Sequence, residues 1–219
     1  MRFLLYPTLL LSWCSLSLAI QDLDTGIAIG INVNTKLDSP PIDTTRTATE
    51  PTEPTPLALL PSIFASSPSP STRTIDRATT DSIRHALALY PLAIDGKDFA
   101  ALSSIFAPDA VANYSAPLNV LTPLDSIQDT LSASLACVST QHSLGTQIID
   151  VVSPLEARSV TYFTASHFGR SGRMAAQVAT AHGQYQDLWR RQEDGNWRVV
   201  VRNLVYMSEV MGNQAVFVC

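Results

Sequence analysis

Four histidines, His85, His142, His167 and His182, are the only imidazoles in the 219-residue chain. Imidazole titrates nearest neutrality, so these are the first candidates for moving protons. His142 and His167 fall in β-rich stretches. Their neighbours of the same alternating parity are apolar: Leu144 and Ile148 for the first, Phe163 and Ala165 for the second. Each therefore points at a core, either as a satisfied buried side chain or as a working group. His85 sits on the polar side of a helical pattern, and His182 fits either face. Asp95 is the one interior carboxylate the pattern picks out. At about 4 Å from an imidazole and an effective dielectric of about 20, it would attract the charged ring by ~4 kcal/mol before desolvation and fix the ring tautomer. Its alternative is a solvated residue at a helix C-terminus, where the macrodipole disfavours a carboxylate. Arg202, among Val200, Leu204 and Tyr206, needs a carboxylate or a substrate oxygen if it is buried, and snorkels if it is at an edge. Tyr90 and Tyr114 are core aromatics with a hydroxyl to place.

This inventory offers groups suited to moving protons. No HExxH or CxxC spacing marks a metal site, and no GxSxG, Walker or GxGxxG segment marks a nucleophile elbow or a nucleotide cradle. The turn Gly169-Arg170-Ser171-Gly172-Arg173 carries two cations. It is either a solvated hairpin tip or a contact for an anionic substrate. The net charge of −5 and the pI near 5.2 leave no cationic surplus for a nucleic-acid grip. Three cysteines are too few for a disulfide-built mini-fold. Cys14 belongs to the leader described next. For Cys137 and Cys219 the expectation is a small buried thiol and a loose terminal one, since spacing alone cannot establish a bridge.

Residues 1–19 have the form of a signal peptide: Arg2, an apolar run from Phe3 to Leu18, and small residues before a cut after Ala19. After cleavage no membrane span is expected, and the chain is placed in the secretory pathway or outside the cell. Residues 20–74 form a linker or pro-region. Pro, Ser and Thr fill 22 of the 36 positions from Ser39 to Thr74, too polar a mix to offset its ordering entropy. The alternation Ile27, Ile29, Ile31, Val33 is an isolated strand pattern, and Leu57–Phe64 is an apolar island able to dock on the domain.

The folded domain is expected over 75–219. Ile83, Leu87, Tyr90 and Ile94 give a helix over about Ala78–Ile94 with one apolar stripe. Pro91 should kink it, and Gly96 suits the left-handed position that closes it. Asp98 is placed to cap a second helix, Phe99–Phe106, and a third starts at Asp125 or Ser126 and ends near Cys137. A short strand, Ala110–Ser115, precedes the third helix. Four long strands follow, Thr140–Val152, Ala157–Phe168, Ala175–Arg191 and Trp197–Val210, the last two joined by the turn Asp194-Gly195. Helices segregated from a meander mean α+β: a curved antiparallel sheet with three N-terminal helices across its concave face, enclosing a pocket.

The residues Tyr90, Asp95, Lys97-Asp98-Phe99 and Asp109-Ala110 resemble the opening of SnoaL-like domains of the nuclear transport factor 2-like superfamily. Thr140-Gln141-His142-Ser143-Leu144-Gly145, Ala165-Ser166-His167, Gly183-x-Tyr185-x-Asp187 and Asp194-Gly195-Asn196-Trp197-Arg198 with Arg202 continue the resemblance in order. It implies a cone pocket without cofactor, of the kind used by scytalone dehydratase, bile-acid dehydratases and polyketide cyclases. It further implies a proton shuttle at His142, a pairing of His167 with Asp95, and carbonyl polarisation by Tyr114 or Tyr90, with Arg202 aiding if it faces inward. Gln184 and Gln186 would supply further polar contacts. The implied reaction is dehydration, isomerisation or cyclisation of an apolar hydroxy-carbonyl compound of polyketide, terpenoid or steroid type. The alternative is a non-catalytic binding or interaction protein using the same cone. A homo-dimer or homo-trimer is expected by analogy.

Overall fold

The apolar stripe of Ile83, Leu87, Tyr90 and Ile94 is buried along one side of a long helix. The computed structural model describes residues 53–66, 77–170 and 172–219. The leader and the Ile27–Val33 pattern lie outside the described residues. Two α-helices precede the sheet, Leu60–Ala65 (α1) and Arg77–Gly96 (α2), and a third, Leu124–Ser134 (α3), lies between its early strands. Pro91 lies inside α2. The left-handed residue that closes α2 is Lys97, with φ 60°, one position later than the expected Gly96. Asp98 N–H bonds back to Ala93 and Lys97 N–H to Ile94, so Gly96 is still helical and the Schellman turn falls on the lysine. Asp98 then accepts from Ala101 N–H and caps a 3-10 helix over Phe99–Ser104.

The strands are Phe106–Asn113 (β1), Val120–Leu121 (β2), Val138–Val151 (β3), Glu156–Gly169 (β4), Val178–Arg191 (β5), Trp197–Tyr206 (β6) and Met211–Gly212 (β7). Their order is β2-β1-β6-β5-β4-β3, with β7 on β5. The four-strand meander is antiparallel, as expected. The short strand differs: it begins at Phe106, not Ala110, and runs parallel to β6. The last strand ends at Tyr206 instead of Val210. The two residues of β7 are the tail turning back onto Ala179 and Thr180. Register breaks between Leu144 and Gln147 and between Leu188 and Trp189 are the bulges that let so long a sheet curl. The concave face collects Ala165 and Phe163 of β4, Tyr185 and Trp189 of β5, and Leu204 of β6. They bury against α2 and α3 as one core. Gly183 is required there: a Cβ would lie 2.7 Å from the Phe163 ring, which stacks on Tyr185 at 4.4 Å.

Part of the stretch read as linker joins this domain. Gln186 on the convex face holds Thr55 at both backbone atoms, accepting from its N–H and donating to its C=O, each at 2.7 Å. Arg158 reaches the Ile63 carbonyl and lies 5.2 Å over the Phe64 ring. The Leu57–Phe64 island thus docks. Among the described residues, no helix is long and apolar enough to cross a membrane.

The cysteines correct the expectation of two free thiols. Cys137 and Cys219 form a disulfide, with Cα atoms 5.2 Å apart, a spacing ordinary for such bridges. They lie 82 positions apart, so nothing local in the sequence could signal the pairing. The bridge pins the tail beside the end of α3. Replacing Cys219 by serine should lower stability by about 2–5 kcal/mol, because a long loop in the unfolded chain is released. Urea unfolding of the oxidised wild type and the variant measures it.

Candidate active site

Asp95 ends α2 at the point where the helix meets β3. Its Oδ1 lies 2.7 Å from His142 Nδ1, and its Oδ2 accepts the His142 backbone N–H at 2.8 Å. This corrects the implied pairing with His167. The helix end abuts β3, whereas His167 is on β4, opposite Thr140 and not opposite His142. Burial works against a charged Asp95, but the ring and amide donors of His142 outweigh it and hold the carboxyl below its ordinary range. The same two bonds offset the unfavourable helix dipole. A carboxylate on Nδ1 makes that nitrogen the N–H and leaves Nε2 as the free base.

His167 lies beside this pair, with ring centroids 6.1 Å apart and planes at 78°. Its Nδ1 donates to the Ala179 carbonyl at 3.3 Å, so its Nε2 is also unprotonated. Burial first, then the neighbouring His142, pushes its pKa down to about 4. Phe217, from the disulfide-held tail, covers it at 4.8 Å. Because the folded value lies below the ordinary 6.5, the unfolded chain takes up this proton first as pH falls. Stability should therefore decline from about pH 6.5 down to about pH 4, by at most ~1.4 kcal/mol per unit from this group. An NMR titration of the His167 ring with a midpoint near 4, set beside melting temperature against pH, checks both halves.

Tyr90 packs edge-on to His142, 6.3 Å between centroids. Its hydroxyl shares a 3.1 Å hydrogen bond with that of Tyr114. Burial raises the pKa of both phenols, which stay neutral O–H donors. Arg202 faces inward. Its guanidinium is fully buried and binds both oxygens of Asp187, at 2.7 and 2.8 Å. It stacks on Tyr185 at 4.2 Å and on Tyr90 at 4.4 Å. Asp187 is thus a second interior carboxylate, correcting the expectation of one. The alternation Gly183, Tyr185, Asp187 carried the clue, since all three share the concave face. Gln184 and Gln186 have the opposite parity and lie on the convex face, away from the histidines, so they supply no contact in the cone.

Lys97 entered the sequence reading only within the motif Lys97-Asp98-Phe99, with no role at the site. Its Nζ donates to Thr140 Oγ1 at 3.1 Å, on the β3 residue that faces His167. The structure therefore gathers Asp95, His142, His167, Tyr90 and Tyr114, adds Lys97, and sets Arg202 beneath them as a support. Solvent reaches the group at Asp95, whose side chain is 26% exposed against 7% for His142. Among the described residues, no three His, Cys, Asp or Glu side chains stand together as a metal site.

The model of the SnoaL-like domain family matches residues 76–203. The chain belongs to the SnoaL-like family. No curated protein matches it in sequence. Solved structures share the fold of this SnoaL-like domain. A Kribbella flavida protein, Kfla4162, superposes with a TM-score of 0.57 at 17% identity, over 64% of this chain and 96% of its own. A Novosphingobium aromaticivorans protein proposed to be a scytalone dehydratase gives 0.55 at 23%, over 62% and 87%. A hexachlorocyclohexane dehydrochlorinase, LinA type 2, gives 0.53 at 16%, over 66% and 93%. At these identities the likeness is one of fold: a curved, mostly antiparallel sheet of the nuclear transport factor 2-like kind, with few helices.

Proposed function

We propose that the chain is a cofactor-independent lyase that removes HX from adjacent carbons of a small molecule, in the first instance water from a β-hydroxy-carbonyl compound. The observation that carries this is the Asp95–His142 pair, with Nδ1 anchored and Nε2 free beside two neutral phenols. Two of the structural relatives bear names for losing water or HCl.

His142 Nε2 takes the α-proton, and the C–H electrons move to the carbonyl oxygen as an enolate. The Tyr90–Tyr114 pair donates to that oxygen, a stabilisation concentrated where charge develops. The enolate electrons return to form the C=C bond as the β-hydroxyl leaves. His142, now carrying the proton, hands it to that hydroxyl, and water departs. At neutral pH His167 is unprotonated, so it cannot be the acid. Its free Nε2 accepts the hydroxyl hydrogen and orients the leaving group. Protonating the enolate carbon elsewhere would give isomerisation, and carbon electrophiles would give ring closure.

A panel of β-hydroxy ketones, followed by the enone ultraviolet band and by solvent deuterium entering the α-carbon, tests the reading. The second reading, a non-catalytic interaction module built on the same cone, draws on the filled interior around Tyr90, Tyr114 and Tyr185 and on the Phe217 cover. Absence of both ketone binding and deuterium entry would favour it. A leader over residues 1–19 supports a secreted location, on sequence grounds alone.

A further inference from the structure

The tail that follows β7 is held to the domain by little besides its bridge. Asn213 N–H bonds to the Val178 carbonyl, at the end of the β5–β7 pairing. From Gln214 on, among the described residues, the hydrogen bonds stay within the tail: Gln214 Nε2 to the Val210 carbonyl, Val216 N–H to Asn213 and Val218 N–H to Ala215. What fixes this stretch is Val216 in the core, Phe217 against His167, and the covalent bond from Cys219 to Cys137. Two apolar side chains, one of them only part-buried, offset little of the entropy of ordering the seven residues 213–219. The bridge makes up the difference.

That bridge is open to attack. Cys219 is exposed and Cys137 half-buried, and both line a hollow of about 570 Å³ together with Arg170 and Arg173. Arg170 Nη1 donates to the carbonyl of Ala136 at 3.3 Å, so its guanidinium is anchored one residue from Cys137. Two cations in the hollow favour the approach of a thiolate, and a sulfur near a cation leaves more easily as its anion. Exposed Cys219 is the sulfur attacked, and Cys137 the one that leaves. What the tail covers is one flank of the candidate site. The Phe217 ring lies 4.8 Å from that of His167, tilted by 56°, and His167 lies 6.1 Å from His142.

We propose that the Cys137–Cys219 bridge is a thiol-operated latch: a dithiol reductant opens it, and Phe217 lifts off His167 with the tail while the sheet stays folded. A thiolate of the reductant attacks Cys219 Sγ, and the S–S electron pair leaves on Cys137 Sγ. The second thiolate of the reductant attacks its own sulfur in the mixed disulfide, and Cys219 leaves in turn. Two electrons pass from dithiol to bridge, and the two protons that the dithiol gives up reach the two cysteines through water. The reductant ends as a cyclic disulfide. The pairing of β7 with β5 stays in place, which confines the motion to residues 213–219. The latch goes beyond the lyase reading and stands without it, because it governs access to His167 and is read without turnover.

The test uses the full chain near neutral pH, either oxidised or treated with dithiothreitol and capped with iodoacetamide. Carbethoxylation of each histidine by diethyl pyrocarbonate is followed by peptide mass spectrometry, with exposed His85 as the internal reference. Reduction should speed His167 by at least about tenfold relative to His85, as a locally detached segment allows. The emission of buried Trp189 and Trp197 should not shift, since the core is untouched. Cys219→Ser without reductant should match the reduced wild type. Phe217→Ala keeps the bridge, so His167 should already be fast in its oxidised form and gain little from dithiothreitol. An unchanged His167 rate after reduction, or a rate in oxidised Phe217→Ala as slow as in oxidised wild type, would overturn the latch. So would a red shift of the tryptophan emission on reduction, because the bridge would then be holding up the whole domain.

Discussion

Replacing His142 by alanine lowers kcat for a β-hydroxy ketone by about 10²–10⁴-fold, the range that a positioned general base supplies. The substitution removes Nε2 but leaves the backbone N–H of residue 142 on Asp95 Oδ2, so the seam between α2 and β3 keeps one of its two bonds. The loss should fall on kcat, with KM little changed, because the ring acts on the reacting C–H bond and not on the skeleton. Asp95→Asn gives the companion result. An amide can turn its NH₂ towards His142 Nδ1, which flips the tautomer and puts the proton on Nε2 where the base is needed. It should therefore cost nearly as much turnover while preserving shape. Steady-state kinetics of both variants at neutral pH decide the matter. Undiminished turnover in His142→Ala removes the base from the mechanism.

The second large effect concerns stability. Asp187→Ala leaves the Arg202 guanidinium, fully enclosed and stacked between Tyr90 and Tyr185, without its bidentate carboxylate. Breaking a buried pair from one side costs about 3–5 kcal/mol, because the surviving charge stays desolvated. The pair itself is worth far less than that figure. The double variant Asp187→Leu with Arg202→Met should consequently be much closer to wild type than Asp187→Ala. Chemical denaturation of the three proteins measures the difference. A double variant as unstable as the single one would mean that the pair contributes stability in its own right. Tyr90 rests on Arg202, so the single variant should also disturb the donor pair and lower turnover of whatever stays folded.

The residue patterns carried the frame and left out its contacts. The stripe Ile83, Leu87, Tyr90, Ile94 and the alternation through β3 to β6 are periodic, and periodicity survives in one dimension. The α+β architecture and the inward parity of His142, His167 and Arg202 were legible for that reason. Partner choice is not periodic. Which imidazole meets Asp95 depends on whether a helix end lands on β3 or β4, and the two strands differ by nothing that local spacing records. Arg202 was read as needing a carboxylate or a substrate oxygen if buried, and the structure supplies the carboxylate from Asp187, which the reading had passed over. What sequence lacked was the β5–β6 register that puts them opposite one another. The disulfide spans most of the domain, and Lys97 was passed over because the helix takes in Gly96 and leaves the left-handed position to the lysine.

The clasp between Gln186 and Thr55 bears on how copies of this molecule could meet. A glutamine that satisfies both backbone atoms of one residue imitates a rung of a sheet ladder, built sideways onto the outer wall. Ground taken up by the chain's own residues 53–66 is closed to a neighbour. Two molecules joining back to back would have to meet over what the strap leaves exposed, such as Ile148, Phe168, Val178 and Leu188, or each would first have to let go of its own strap.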